Sequence, residues 1–166
     1  MPFNFVSLRD ASLEALSTRD AALLLAQARA LQTLFDAGQG QSLLHGKNLG
    51  LLCEPDERED ALRFRRAATD LGARVARIRP DLSADSPSSE VVDTGRMLGR
   101  LYDGIECIGL NAGVVKCLGA AANVPVFDGI SSANHPTARL ATQLAGRQSD
   151  ERHRLMLQAI LISTLN

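Results

Sequence analysis

The alternation of apolar and polar positions changes period several times along this chain, and those changes divide it into elements. Residues 17–38, STRDAALLLAQARALQTLFDAG, repeat apolar side chains at helical spacing. Ser17 or Thr18 can cap this helix, Asp20 lies in its first turn, and Gly38 suits the position just past its end. KNLGLLC, at 47–53, is a short apolar run after Gly46 and reads as a strand buried on both faces. EDALRFRRAATDLG follows as a helix closing at Gly72, and ARVARIR as a second strand. PDLSADSPSS, at 80–89, is a loop rich in Pro, Ser and Asp, after which Ser88 or Ser89 can cap the helix SEVVDTGRMLGRLY. GIECIGL is a third strand, NAGVVKCLGAAAN a helix and VPVFDG a fourth strand. ISSANHP is a loop, TARLATQLAG begins another helix, and SDERHRLMLQAILISTLN is a final amphipathic helix capped by Ser149 or Asp150.

Strands that alternate with helices of ten or more residues imply βαβ units and a parallel sheet. The expected fold is an α/β three-layer sandwich, with about four parallel strands at the centre and helices on both faces. Ligands of such sheets bind beyond the carboxyl ends of the strands. Here those ends are 53–60, 80–90, 109–112 and 128–136.

Composition narrows the function. With 166 residues, 45% hydrophobic and 22% charged, the chain fits one globular domain. A net charge of −1, no Trp and one Tyr argue against nucleic acid and against an anionic membrane surface. No apolar run is long enough to span a bilayer, and no signal peptide is recognisable. Cys53, Cys107 and Cys117 form no CxxC pair and read as reduced thiols of a cytoplasmic protein.

Two segments carry candidate chemistry. The first, 53–60, opens a helix, whose free N–H groups and dipole favour anions. Asp56, Glu57, Glu59 and Asp60 can fill that role themselves as capping acids. They could instead hold a divalent cation, but their spacing matches no ligand pattern, and no metal or other cofactor is expected. The second is His135-Pro136 at a loop-to-helix junction, with Pro at the first helical position. A His there can donate to a carbonyl or phosphoryl oxygen, or simply cap the helix. His45 and His153 have no ligand-spaced partner, GLNAG lacks the spacing of a dinucleotide fingerprint, and no nucleophile elbow is present. Arg63, Arg65, Arg66, Arg74 and Arg77 read as a solvated or subunit-facing basic surface.

Taken in order, FVSLRDAS, GKNLGLLCEP, LRFRRAATDLGARV, SSEVVDTGRMLGRLYDGI, NVPVFDG and NHPTARLATQL resemble the amino-terminal domain of ornithine and aspartate carbamoyltransferases. The resemblance covers roughly residues 5–145. It implies a carbamoyl-phosphate-binding-like domain over 1–146. DERHRLMLQAILISTL resembles the closing helix that, in the family, returns from a second, amino-acid-binding domain. Here that helix, within 147–166, follows almost at once and is expected to pack on the first domain, as if the second domain had been removed from the gene.

The family's phosphate-binding turn reads Ser-Thr-Arg-Thr-Arg. Counting back from Leu62 and Phe64 places it on Glu57, Arg58, Glu59, Asp60 and Ala61. Counting forward from Glu54 and Pro55 places it on Asp56 to Asp60, which keeps Arg58 in the arginine position at the cost of one inserted residue. Both registers lose the hydroxyls and gain acids. A carboxylate 5 Å from a phosphate costs roughly 3 kcal/mol at an effective dielectric of about 20. The family arginine after the third strand falls on Ile108, and His-Pro-x-Gln becomes His135-Pro136-Thr137-Ala138.

The expectation is a degenerate, non-catalytic carbamoyltransferase-like domain, a binding, regulatory or assembly subunit. Its candidate ligand contacts are Glu57, Arg58, Glu59, Asp60, His135 and Thr137, with His135 the best placed for catalysis. The resemblance implies a homotrimer, or a complex with an active carbamoyltransferase. Two alternatives stand beside it: a carbamoyltransferase whose partner chain supplies the missing domain, and an unrelated enzyme using Glu57, Glu59 and Asp60 with His135 on a cationic substrate or a metal.

Overall fold

A computed structural model describes residues 16–53, 58–79 and 81–165. Its elements alternate as expected. Helix α1 spans Thr18–Asp36, strand β1 Asn48–Cys53, α2 Glu59–Asp70, β2 Arg74–Ile78 and α3 Ser88–Leu101. Strand β3 spans Gly104–Ile108, α4 Ala112–Ala122, β4 Val126–Asp128, α5 Pro136–Ala141 and α6 Ser149–Leu165. The four strands are all parallel, in the order β2-β1-β3-β4. Leu49 pairs with Val75 on one side and Gly104 on the other, and Ile105 pairs with Val126.

Side chains that alternate along β1 feed two cores. Leu49, Leu51 and Cys53 face a core shared with α1, α2, α5 and α6, which holds Leu24, Leu31, Phe64, Met156 and Ile160. Leu52, Ile105 and Cys107 face the second core, with Val91 and Leu98 of α3 and Val114 and Leu118 of α4. The sheet is thus covered on both sides, as a parallel sheet requires. The chain is an α/β sandwich with helices on both faces.

The caps follow the local sequence at α1 and α4 but not at α2, α3 or α6: Arg58 begins α2 without a side-chain cap, and Ser149 and Asp150, expected to cap α6, lie within its first turn. Ser17 accepts the Asp20 amide and caps α1, and Gly38 follows in the left-handed region. Asn111 accepts from Gly113 and Val114 and caps α4. Helix α3 departs from expectation. Its N-cap is Pro87, with no side-chain cap, so Ser88 and Ser89 already lie inside the first turn.

Helix α6 departs further. An amphipathic helix was expected, but every residue from Leu155 to Leu161 is buried, Gln158 included. The helix is enclosed by α1, α2 and α5. The amide of Gln158 donates to the Ala67 carbonyl of α2, which satisfies a polar group placed in the core. Helices α3 and α4 meet through glycines. A Cβ on Gly99 would lie 1.8 Å from the Ala122 carbonyl oxygen, and one on Gly95 would lie 3.0 Å from the Ala121 Cβ.

Candidate functional site

The carboxyl ends of the strands gather three segments: the start of α2, the turn after β3, and the loop from β4 to α5. Helix α2 begins one residue after Arg58, which adopts extended backbone as its N-cap without a side-chain cap bond. The Arg58 side chain turns back onto its own helix. Its Nε and Nη2 donate to Oδ1 and Oδ2 of Asp60 at 3.1 and 3.0 Å, the two-pronged geometry that favours Arg with carboxylate. That hydrogen bond raises the Arg58 pKa. The same Asp60 Oδ1 accepts the Ala61 amide at 3.0 Å. Asp60 therefore occupies both the helix N-terminus and the guanidinium. Arg58 also lies over the end of β3: its Nη1 would be 3.0 Å from a Cβ on Gly109, which sits at φ +78°. The strip between β1 and β3 is open to the guanidinium because residue 109 is glycine.

The other candidates are distributed differently. Glu59 is exposed and bonds Arg63 Nη2 at 3.3 Å, one turn along α2. His135 is 8% exposed and is the N-cap of α5. Its Nδ1 accepts the Thr137 amide at 3.2 Å and lies 2.8 Å from the buried Thr137 hydroxyl. With Nδ1 accepting, the ring's proton is on Nε2, the tautomer needed to donate toward a ligand oxygen. Arg58 with Asp60 and His135 with Thr137 thus form two local pairs. Glu57, Asp56 and the register question they pose lie outside the described residues. Ile108 is buried in the core of the sheet and offers no polar atom at the end of β3.

Two residues that fix this end of the sheet escaped the sequence reading. Glu106 sits at mid-strand in β3 and is fully buried. Its Oε1 accepts the amides of Gly129 (2.9 Å) and Ile130 (3.3 Å). Its Oε2 accepts the amide (3.0 Å) and hydroxyl (2.9 Å) of Ser131. Burial pushes the carboxyl up to about 7, against the four donors, which favour its charged form. A lone acid inside the apolar run GIECI was the available signal.

Arg63 is the second, and it alone is shown to depart from the solvated or subunit-facing basic surface expected; Arg65, Arg66 and Arg74 are exposed. The Arg63 side chain is 13% exposed, and Nη1 donates to the Ser131 carbonyl at 2.7 Å. Glu106 and Arg63 thus grip the peptide groups around Ser131 from opposite sides. They hold the loop that leads into His135, whose own amide donates to Ser132.

Among the described residues no group of three or more His, Cys, Asp or Glu side chains is placed to hold a metal. No helix is long and apolar enough to cross a membrane.

A doubly covered parallel sheet, with an arginine and a histidine at its strand ends, is an α/β domain of the kind that binds small anions at helix starts. Comparison with known proteins defines it further. The profile described as "Aspartate/ornithine carbamoyltransferase, carbamoyl-P binding domain" matches residues 9–147. The chain is 38% identical over 152 residues to ornithine carbamoyltransferase of Cutibacterium acnes, an alignment covering 92% of this chain and 46% of that protein. It is 38% identical over 144 residues to the catabolic ornithine carbamoyltransferase of Haemophilus influenzae, covering 87% and 43%. Among solved structures, ornithine carbamoyltransferase from Pyrococcus furiosus superposes with a TM-score of 0.62 at 25% identity, over 81% of this chain and 42% of that one. The catalytic subunit of M. jannaschii aspartate transcarbamoylase superposes equally well, with a TM-score of 0.62 at 22% identity over 76% and 42%, and supports the fold alone. The chain belongs to the aspartate/ornithine carbamoyltransferase family, through its carbamoyl-phosphate-binding domain. It spans less than half the length of these curated relatives.

Proposed function

We propose that this chain is a carbamoyl-phosphate domain that does not transfer carbamoyl groups on its own, and that it serves as a binding, regulatory or assembly subunit. The observation that carries this reading is the two-pronged Arg58–Asp60 pair. A phosphate at the start of α2 would have to displace Asp60 from the guanidinium and then lie beside its carboxylate. That repulsion, roughly 3 kcal/mol at 5 Å, offsets much of the 4–8 kcal/mol of a millimolar-to-micromolar ligand, taken as rough bounds. Ile108 and Ala138 supply no donor where the resemblance places Arg and Gln, so the charge that develops during transfer has fewer donors to meet it.

Calorimetric titration with carbamoyl phosphate, with and without magnesium, tests the reading. The expected result is no saturable heat that Arg58→Ala removes. Micromolar saturation that is lost in Arg58→Ala would overturn it. Asp60→Asn provides a gain-of-function arm. Freeing Arg58 and removing one carboxylate is expected to strengthen phosphate binding by about tenfold, the equivalent of 1.4 kcal/mol.

The retained Arg58 and the oriented His135 favour a second reading. A partner chain would supply the amino-acid-binding domain, and carbamoyl-phosphate-dependent product would form from ornithine or aspartate once the two are mixed. Absence of turnover with candidate partners present would dispose of it. Under either reading the chain is expected to form an oligomer, a homotrimer or a complex with an active carbamoyltransferase. Light scattering at micromolar concentration distinguishes this from a monomer. A cytoplasmic location is part of the same proposal.

A further inference from the structure

A cleft of about 380 Å3 lies where α2, α5 and the start of α6 meet, and of its lining the reading above uses only Ala138. Its polar lining includes Arg63, Arg139, Arg152, His153, Ser149 and Asp150. The space exists because Ala133, Ala138 and Ala141 line it with methyl groups only. Its volume is near the lower end for small-molecule sites, roughly 300–1,000 Å3.

The charge in the cleft does not balance. Three guanidinium groups face one lining carboxylate, the exposed Asp150. Among the described residues, neither Arg139 nor Arg152 has a carboxylate within ion-pair distance. Arg63 pairs with Glu59, but that carboxylate is 86% exposed and heavily screened. Two buried nitrogens, Arg152 Nε and His153 Nε2, have no hydrogen-bond partner. Buried polar groups are ordinarily satisfied, so orphans grouped at one cleft point to an occupant that brings them partners or reorganises them. His153 itself is 7% exposed, and burial, followed by the charge of Arg63, lowers its pKa to about 4. It is therefore neutral at pH 7, and two positive charges in the cleft stay uncompensated.

We propose that this cleft binds a small dianion, a phosphate group or a short dicarboxylate, held by Arg63, Arg139 and Arg152 beside His153. Arginine suits both chemistries because its planar donors match carboxylate and phosphate oxygens in pairs. The excess charge calls for two negative charges, and the volume limits the ligand to a few heavy atoms beyond the anionic groups. The site is separate from the start of α2 and does not depend on whether carbamoyl phosphate still binds there.

The test is titration of the full chain with inorganic phosphate and, in parallel, with succinate, read by calorimetry and by NMR of the histidine side chains. Saturable binding of either probe at millimolar concentration or below is expected, and the probe that saturates identifies the ligand class. A bound anion favours the imidazolium, so the pKa of His153 should rise when the cleft fills. Arg139→Ala, at an exposed position, should weaken binding about tenfold. Arg152→Lys should also weaken it, since Lys keeps the charge but loses the paired donors. Arg58→Ala, outside the cleft, should leave the affinity as it was. No saturation with either probe overturns the proposal. So does binding that Arg58→Ala abolishes and Arg139→Ala spares, a result that would instead show the inherited strand-end site to be alive.

Discussion

At the scale of single residues, two buried ionisable groups bear on pH in opposite directions. Glu106 has an ordinary value of 4.5 and titrates near 7 in the fold. The folded state then binds the extra proton between those values, so its contribution to stability is present below 4.5 and lost as pH rises through about 7. His153 moves from 6.5 to about 4, so the unfolded chain binds the extra proton. Its contribution is present above 6.5 and lost as pH falls through about 4. Between the two, the effects cancel in part, and the wild-type stability profile should be flatter than that of either variant. Urea unfolding across this range should show Glu106→Gln gaining stability relative to wild type as pH rises. It should show His153→Gln gaining relative to wild type as pH falls. Parallel profiles for wild type and variants would refute the assignment. The sequence displayed both residues without showing their roles. Glu106 is a single acid in a strand, and its four donors come from a loop more than twenty residues later. Arg63 belongs by composition to a basic helix surface, and only the fold reveals that it faces Ser131.

At the scale of elements, periodicity located every strand and helix among the described residues, because apolar runs and turn residues alternate along the chain. What it missed was contact between elements. Helix α6 was read as amphipathic from the polar residues of its first turn and a few beyond. Gln158 and Thr164 are instead buried, satisfied by the Ala67 carbonyl and the Ile160 carbonyl respectively. Replacing Gln158 with Leu takes the donor away from the Ala67 carbonyl, which lies in the last turn of α2, where the Leu71 amide bonds Ala68 instead. Leaving that buried acceptor unpaired should cost about 1–3 kcal/mol by chemical denaturation. The junction of α3 and α4 should be similarly intolerant. Gly99→Ala drives a methyl group into the Ala122 carbonyl, and the helices must separate. A loss of about 2–3 kcal/mol is expected by chemical denaturation, the upper part of the usual cost of overpacking. A neutral result would mean that the two helices slide apart freely.

At the scale of the whole molecule, the family and the sheet were legible in the order of segments, since hydrophobic runs and turn residues recur in sequence. The competence of the site was legible only in part. The loss of the hydroxyls and of the arginine at Ile108 can be read from residue identities alone. The capture of Arg58 by Asp60 cannot, because two residues apart at a helix start can equally point away from one another. Under the proposal above, the fold is kept while Asp60 and Arg58 of the chain itself occupy the start of α2. The Asp60→Asn titration decides whether that occupation is complete.

Helix α6 has a consequence for how the polypeptide reaches this state. It is the last element in chain order, yet it covers the face of the sheet laid down by β1 and touches α1, the first described helix. The Gln158 bond to Ala67 spans 91 residues, and the ion pair of Arg147 with Asp36 spans 111. While the ribosome is still making α5, Leu49, Leu51 and Phe64 have α1 beside them but lack the cover of α6. Closing this core needs a contact far along the chain, and long-range closure of this kind is slow. A nascent chain stalled before residue 149 should be bound by chaperones that recognise exposed apolar surface.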